Sequence, residues 1–171
     1  MEEKLLAIAD EVIALSTSNE QIEVIAVHDQ ETDIRVYKGE LESFTASESQ
    51  GVGIRVVKDG RQGMAYAGSL DMEILKETLS EARDNATFGT YDEMLQIAEP
   101  DNVEPISIDL YNPALKKFAT EDKIALAKEL EEYILKSDER IVGVESSEYV
   151  DSISASAIVT SSGIRRSSYD G

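Results

Sequence analysis

Hydrophobic and polar positions change period several times along this chain, and each change marks an element. Leu5, Ile8, Val12 and Leu15 recur at helical spacing, with Leu6, Ala9 and Ile13 widening the same face. Glu2 and Glu3 stand where a helix dipole favours negative charge, and residues 16–19 are cap and turn formers, so the pattern predicts a helix over 3–15. From Gln21 to His28 the period drops to two. Ile22, Val24 and Ala26 face one way and Ile25 and Val27 the other, the profile of an interior strand apolar on both faces. Residues 29–32 read as a polar turn, and 33–38 alternate again. Gly39-Glu40 then closes a hairpin into a strand over 41–47, polar at Ser43, Thr45 and Ser47 with Phe44 as its single large anchor. That is the profile of an edge strand with one wet face.

Gly51 reads as a further turn. After it Val52, Ile54 and Val56 share one strand face, opposite Arg55 and Val57. Asp59-Gly60 is the strongest local signal, because a type I′ turn needs positive φ at both central residues. In the next strand, Gly63, Ala65 and Ala67 leave one face small enough for a helix or another backbone to approach closely, while Met64 and Tyr66 fill the other. Asp71 is placed to cap a helix carrying Met72, Leu75, Leu79, Ala82 and Ala86, with Gly89 just past its end.

Residues 90–119 hold all three prolines and the acidic run 99–104. They read as an irregular surface linker, with a short helix near 93–97 and Leu110 and Tyr111 as an anchor. Thr120 then caps a helix with Glu121 and Asp122 in its first turn and Ile124, Ala127, Leu130 and Ile134 as its stripe. Two alternating runs come next, 141–149 and 152–160, with Ser162-Gly163 as a turn. The expected fold class is α+β, antiparallel sheets with helices packed on them, and the order is compatible with two duplicated α–β units. The expected organisation is a first helix–strands–helix unit over 1–89, the linker over 90–119 and a second unit beginning at 120. That second unit lacks the strand needed to finish its last hairpin at residue 171, so a fragment of a longer protein is expected.

Composition narrows the function classes. Thirty-five acidic residues against sixteen basic ones give a net charge of −19, which repels phosphate backbones and anionic membranes. No cysteine is present, so neither disulfides nor thiol chemistry are available. No run approaches the ~20 apolar residues of a membrane helix. The N-terminus opens on acids where a signal peptide carries basic residues, which makes a cytoplasmic setting the expectation.

No catalytic constellation emerges. His28 is the single histidine, has no second His or Cys to converge with, and reads as structural. The acidic pairs Asp10/Glu11, Glu131/Glu132 and Asp138/Glu139 read as solvated faces. Gly51-Val-Gly53 lacks the third glycine and the helix of a dinucleotide site, Gly60-Arg-Gln-Gly63 sits in a hairpin, and Ser161-Ser-Gly163 has no histidine partner. Catalytic, cofactor and metal residues are therefore all assigned as none.

Several segments in order, Tyr37-Lys-Gly-Glu-Leu-Glu42, Gly51-Val-Gly-Ile-Arg55, Asp59-Gly60-Arg61 with Gly63-Met-Ala-Tyr66, and Ser69-Leu-Asp71, resemble the N-terminal half of the TldD/PmbA family, the modulators of DNA gyrase. Asp109-Leu-Tyr111, Thr120-Glu-Asp-Lys-Ile124 and Ser161-Ser-Gly163 continue the resemblance, and they look more like the PmbA (TldE) branch than the TldD branch. The resemblance implies a cytoplasmic zinc-dependent peptidase for unfolded peptides, built from paired TldD- and TldE-type subunits. Its metal motif, His-Glu-x-x-x-His with a later cysteine, belongs to the C-terminal half of TldD-type subunits. No position of this sequence matches it. The resemblance thus implies a non-catalytic portion, with zinc only in a partner or in an absent C-terminal half. Its implied partners are a TldD-type subunit or a second copy, and unfolded peptide. The alternatives are a free-standing interaction or scaffold module, and the N-terminal half of an active TldD-type metalloprotease. A peptide could pair with the partly polar strand over 41–49 through its main chain, the alternative being that the absent half of the protein covers this edge.

Overall fold

The computed structural model describes residues 1–101, 103, 106 and 108–171. Asn102, Glu104, Pro105 and Ser107, which belong to the expected acidic linker, lie outside the described residues. Element order is α1 (Glu2–Ile13), β1 (Gln21–Tyr37), β2 (Glu40–Lys58), β3 (Arg61–Ala67), α2 (Met72–Phe88), α3 (Thr120–Ser137), β4 (Ser147–Thr160) and β5 (Arg165–Asp170), with a 3-10 turn at Leu115–Lys117. The strands form one open antiparallel sheet in the order β3-β2-β1-β4-β5, with helices packed on it, so the α+β class holds.

The chain divides into two compact units. The first comprises Met1–His28, Ser49–Asp109 and Ser154–Tyr169, the second Asp29–Glu48, Leu110–Ile153 and Asp170–Gly171. In the first unit α1 buries Leu5, Ile8, Ala9 and Val12, and α2 buries Leu75, Leu79 and Ala82, against Ile22, Val24, Val52, Ile54, Val56, Ala155 and Val159 of the sheet. Full burial of such aliphatic side chains contributes roughly 1.5–3 kcal/mol each. β1 lies between β2 and β4 as an interior strand, but only one of its faces is closed. Ile25 is 44% exposed, and Glu23 on that open face pairs with Arg55 at 3.1 Å.

The small face of β3 does what its residues promise. A Cβ on Gly63 would lie 2.7 Å from the Asn85 carbonyl carbon, and closer still to the Ala86 nitrogen and Ala82 oxygen, so α2 seats directly on this glycine. Asp71 caps α2, its Oδ1 accepting from the Glu73 amide at 2.8 Å. Asp59 (φ 50°) and Gly60 (φ 68°) form the expected left-handed turn, and β2 pairs β3 from Lys58↔Arg61 to Val52↔Ala67.

Several expectations are corrected. No turn interrupts residues 29–32, and β1 runs unbroken from Gln21 to Tyr37. Gly51 is no turn either. It lies within β2 because the strand passes so close to β3 that a Cβ there would come within 3.1 Å of the Ala67 carbonyl. The left-handed residues of the first hairpin are Lys38 (φ 53°) and Gly39 (φ 75°), one position earlier than the sequence suggests. Residues 93–97 form no helix, although Ile97 is fully buried, and Leu110 is exposed while bridging to Asp170 in parallel register. Strand 141–149 is absent as such. β4 starts at Ser147 and continues to Thr160, and the Ser162-Gly163 turn leads into β5. Ala119, not Thr120, occupies the N-cap of α3.

Candidate functional site: an open strand flank and its groove

In the second unit, Ile34 and Val36 of β1 pack with Ala127, Ile124 and Tyr149. Polar anchors join these apolar ones in orienting the α3 helix. Its most buried residues are Lys123, Ala127 and Glu131, whereas Leu130, expected in the core stripe, is 46% exposed. Glu131 is 2% exposed and its carboxylate accepts from the Lys38 amide at 2.8 Å and the Gly39 amide at 2.6 Å. Hydrogen bonds of this kind to a charged acceptor contribute about 1.5–3 kcal/mol each. They hold the left-handed turn that launches β2. Glu131 is thus a buried turn anchor and not part of a solvated acidic face.

One turn earlier than Ala127, the Lys123 ammonium meets Asp151 Oδ2 at 2.5 Å, with both side chains about nine-tenths buried. The ammonium also lies 5.7 Å from the centre of the Tyr149 ring. Burial, reinforced by a hydrogen bond to Asp151 and its charge, pushes the Tyr149 phenol up to about 12. Phe118 meets the same ring edge-on at 5.9 Å and 65°. Tyr149 therefore stays neutral and donates, and Lys123 stays paired. This cluster fastens α3 to β4 and offers neither a free nucleophile nor a base.

β2 emerges from the hairpin with no strand among the described residues on its outer flank until Val52 meets Ala67, so residues 40–50 form an open edge. Every one of them is exposed, including Phe44 at 45%, which is therefore no core anchor. Arg35 of β1 pairs with Glu42 at 2.7 Å and Glu148 at 3.6 Å, which places Glu42 on the open sheet face beside Arg35. A groove of ≈ 480 Å³ adjoins the edge, running between Gln30–Thr32, Ala46–Glu48, the 3-10 turn and the Lys123–Asp151 pair. Unpaired main-chain groups beside a groove suit the docking of an extended chain.

The other sequence candidates are not brought together. His28 is buried in the first unit, Asp10 pairs with Arg165 at 3.1 Å, Glu132 with Lys136, and Asp138 with Arg140 at 2.6 Å. A cleft of ≈ 570 Å³ in the first unit holds Arg61 and Arg83. Arg61 donates to the Gly89 carbonyl, and Arg83 clasps Glu20 at 2.6 Å and donates to the Leu15 carbonyl at 2.8 Å. Burial pushes the Glu20 carboxyl up, but the Arg83 guanidinium and the Thr17 amide outweigh it and hold the carboxyl below the ordinary range. Among the described residues no three His, Cys, Asp or Glu side chains converge as a metal ion requires. No helix among them is long and apolar enough to cross a membrane.

Comparison with known proteins places this geometry. Residues 22–86 match the family domain described as PmbA/TldA metallopeptidase domain 1, and residues 113–170 match the PmbA/TldA metallopeptidase central domain. The chain belongs to the PmbA/TldD family. An uncharacterized protein of Methanocaldococcus jannaschii is 34% identical over 59 residues, covering 34% of this chain and 14% of its own length. A Thermotoga maritima protein described as a modulator of a DNA gyrase superposes with a TM-score of 0.79 at 21% identity, over 96% of this chain and 37% of its own. TldE from Thermococcus kodakarensis superposes with a TM-score of 0.78 at 17% identity, over 98% and 36%. At these identities the structural likeness speaks to the fold alone. This member of the family spans little more than a third of the solved chains it resembles.

Proposed function

We propose that this chain is the N-terminal portion of a PmbA/TldE-type subunit in a zinc-dependent peptidase assembly acting on unfolded peptides in the cytoplasm. In this reading the portion is non-catalytic: it helps wall the peptidase chamber and presents the β2 edge to extended polypeptide. A TldD-type partner subunit supplies the metal chemistry. Family membership supports the peptidase setting, and the exposed flank of residues 40–50 carries the binding role. A folded polypeptide has already satisfied its main-chain donors and acceptors. An unfolded one has not, so an open strand flank discriminates in its favour without reading a sequence motif.

The test is amide hydrogen exchange with and without an unstructured peptide. Added peptide is expected to slow exchange within residues 40–50 and leave α1 and α2 unchanged. Unaltered protection across that stretch would sink the edge-docking reading.

A further inference from the structure

We infer that the segment received by the β2 edge is cationic, an extended chain carrying Lys or Arg at alternate positions. The inference rests on the edge-docking reading and adds the chemistry of the occupant. A strand laid along β2 directs every second side chain onto the open sheet face, where Arg35 and Glu42 already pair. That face is acidic. Glu42 belongs to β2 itself, Glu31 and Asp33 alternate onto the same side of β1, and Glu148 of β4 reaches toward Arg35.

Arg35 meets two carboxylates, at 2.7 Å and 3.6 Å, and neither Glu31 nor Asp33 has an ion pair among the described residues. Adjacent strands lie about 4.8 Å apart. A docked lysine or arginine therefore contacts Glu42 directly. The carboxylates one strand further in lie about 10 Å away, just beyond the ~8 Å Debye length of physiological salt, so their pull is weak there and grows as the salt is lowered. Exposed Phe44 on the same face offers a ring to an arginine guanidinium. An acidic segment would meet the same carboxylates as repulsion, so the surface selects by exclusion as well as by attraction.

Three labelled unstructured peptides of equal length test this on the intact chain, by anisotropy titration and amide exchange together. One alternates lysine with small residues, one carries the same lysines in a block, and one replaces each lysine of the first by glutamate. An exposed ion pair contributes modestly, so one direct contact at Glu42, attractive to lysine and repulsive to glutamate, predicts roughly threefold to fivefold tighter binding of the alternating lysine peptide than of its glutamate counterpart at low salt. The blocked peptide should fall between, and the preference should shrink in Glu31→Gln/Asp33→Asn, which leaves the Arg35 pairs intact. Equal affinities for all three peptides, each protecting residues 40–50, would overturn the charge inference while leaving edge docking standing. Lysine peptide bound without protection of residues 40–50 would overturn it as well, by showing diffuse attraction to an acidic surface. Absence of protection and of binding with every peptide would remove the edge reading itself.

Discussion

Replacing Gly63 by alanine isolates the contact on which the first unit is assembled. The new Cβ would stand 2.7 Å from the Asn85 carbonyl carbon and nearer to two further main-chain atoms of α2, none of which can rotate aside. Carbon atoms settle about 3.5 Å apart, so α2 must retreat by roughly 0.8 Å or more. A gap of ~0.5–1 Å forfeits a quarter to a half of each dispersion contact across it. The loss falls on Leu75, Leu79, Ala82 and Ala86, all buried in this layer. Overpacking costs about 1–3 kcal/mol, and rigid main chain on the receiving side puts Gly63→Ala at the upper end. The smaller unfolded-state entropy of alanine returns roughly 0.5–1 kcal/mol of this. A net loss of about 2 kcal/mol corresponds to a fall in Tm of roughly 4–8 °C for a chain of this length. Gly53 supplies the control, since nothing lies within 4 Å of a Cβ there, and Gly53→Ala should be neutral or slightly stabilising. The readout is the urea midpoint and Tm of both variants against the parent. Equal stability of Gly63→Ala and Gly53→Ala would refute the claim that α2 rests on this glycine.

Removing the Glu131 carboxylate with Glu131→Ala leaves the Lys38 and Gly39 amides without their acceptor and should cost about 2–4 kcal/mol, with Glu131→Gln intermediate. Faster amide exchange at Lys38 and Gly39 would report the released turn, and unchanged exchange would contradict its anchoring by α3. Glu20 predicts an acid limb to stability. Its folded carboxyl titrates below its unfolded value, so its contribution is complete above the ordinary carboxylate range and disappears as the pH falls through and below it. Urea midpoints at about pH 7 and about pH 3 should differ more in the parent than in Glu20→Gln, and equal differences would count against the Arg83 clasp.

Much of the first unit is legible in the sequence because its determinants are local. Asp59-Gly60 accepts positive φ whatever surrounds it, Asp71 reaches an amide two residues away, and the 3.6-residue stripe of α2 is set by its own side chains. The small face of β3 was readable for the same reason, since bulk is a property of the residues themselves. The candidate site was legible only in part. The hydroxyl-rich run after Gly39 suggested a wet edge, but its extent depends on where β3 stops, and that is a matter of pairing register.

What the tertiary structure alone decided involves partners distant in the chain. Residues 29–32 carry turn-like polarity, yet they continue as strand because neighbouring strands supply main-chain partners that local preference cannot anticipate. The orientation of α3 obeys the same logic. Its own stripe points Leu130 inward, but Glu131 finds the Lys38 and Gly39 amides some ninety residues earlier, and Lys123 finds Asp151 on β4. Burying a charge is unfavourable without a partner and tolerable with one. Those partners brought Lys123 and Glu131 into the buried face and left Leu130 out, while Ile124 and Ala127 of the stripe still pack inward. Periodicity and turn chemistry determined which elements form. Long-range satisfaction of buried polar groups set the face that α3 presents, and pairing register set which flank of β2 stays open.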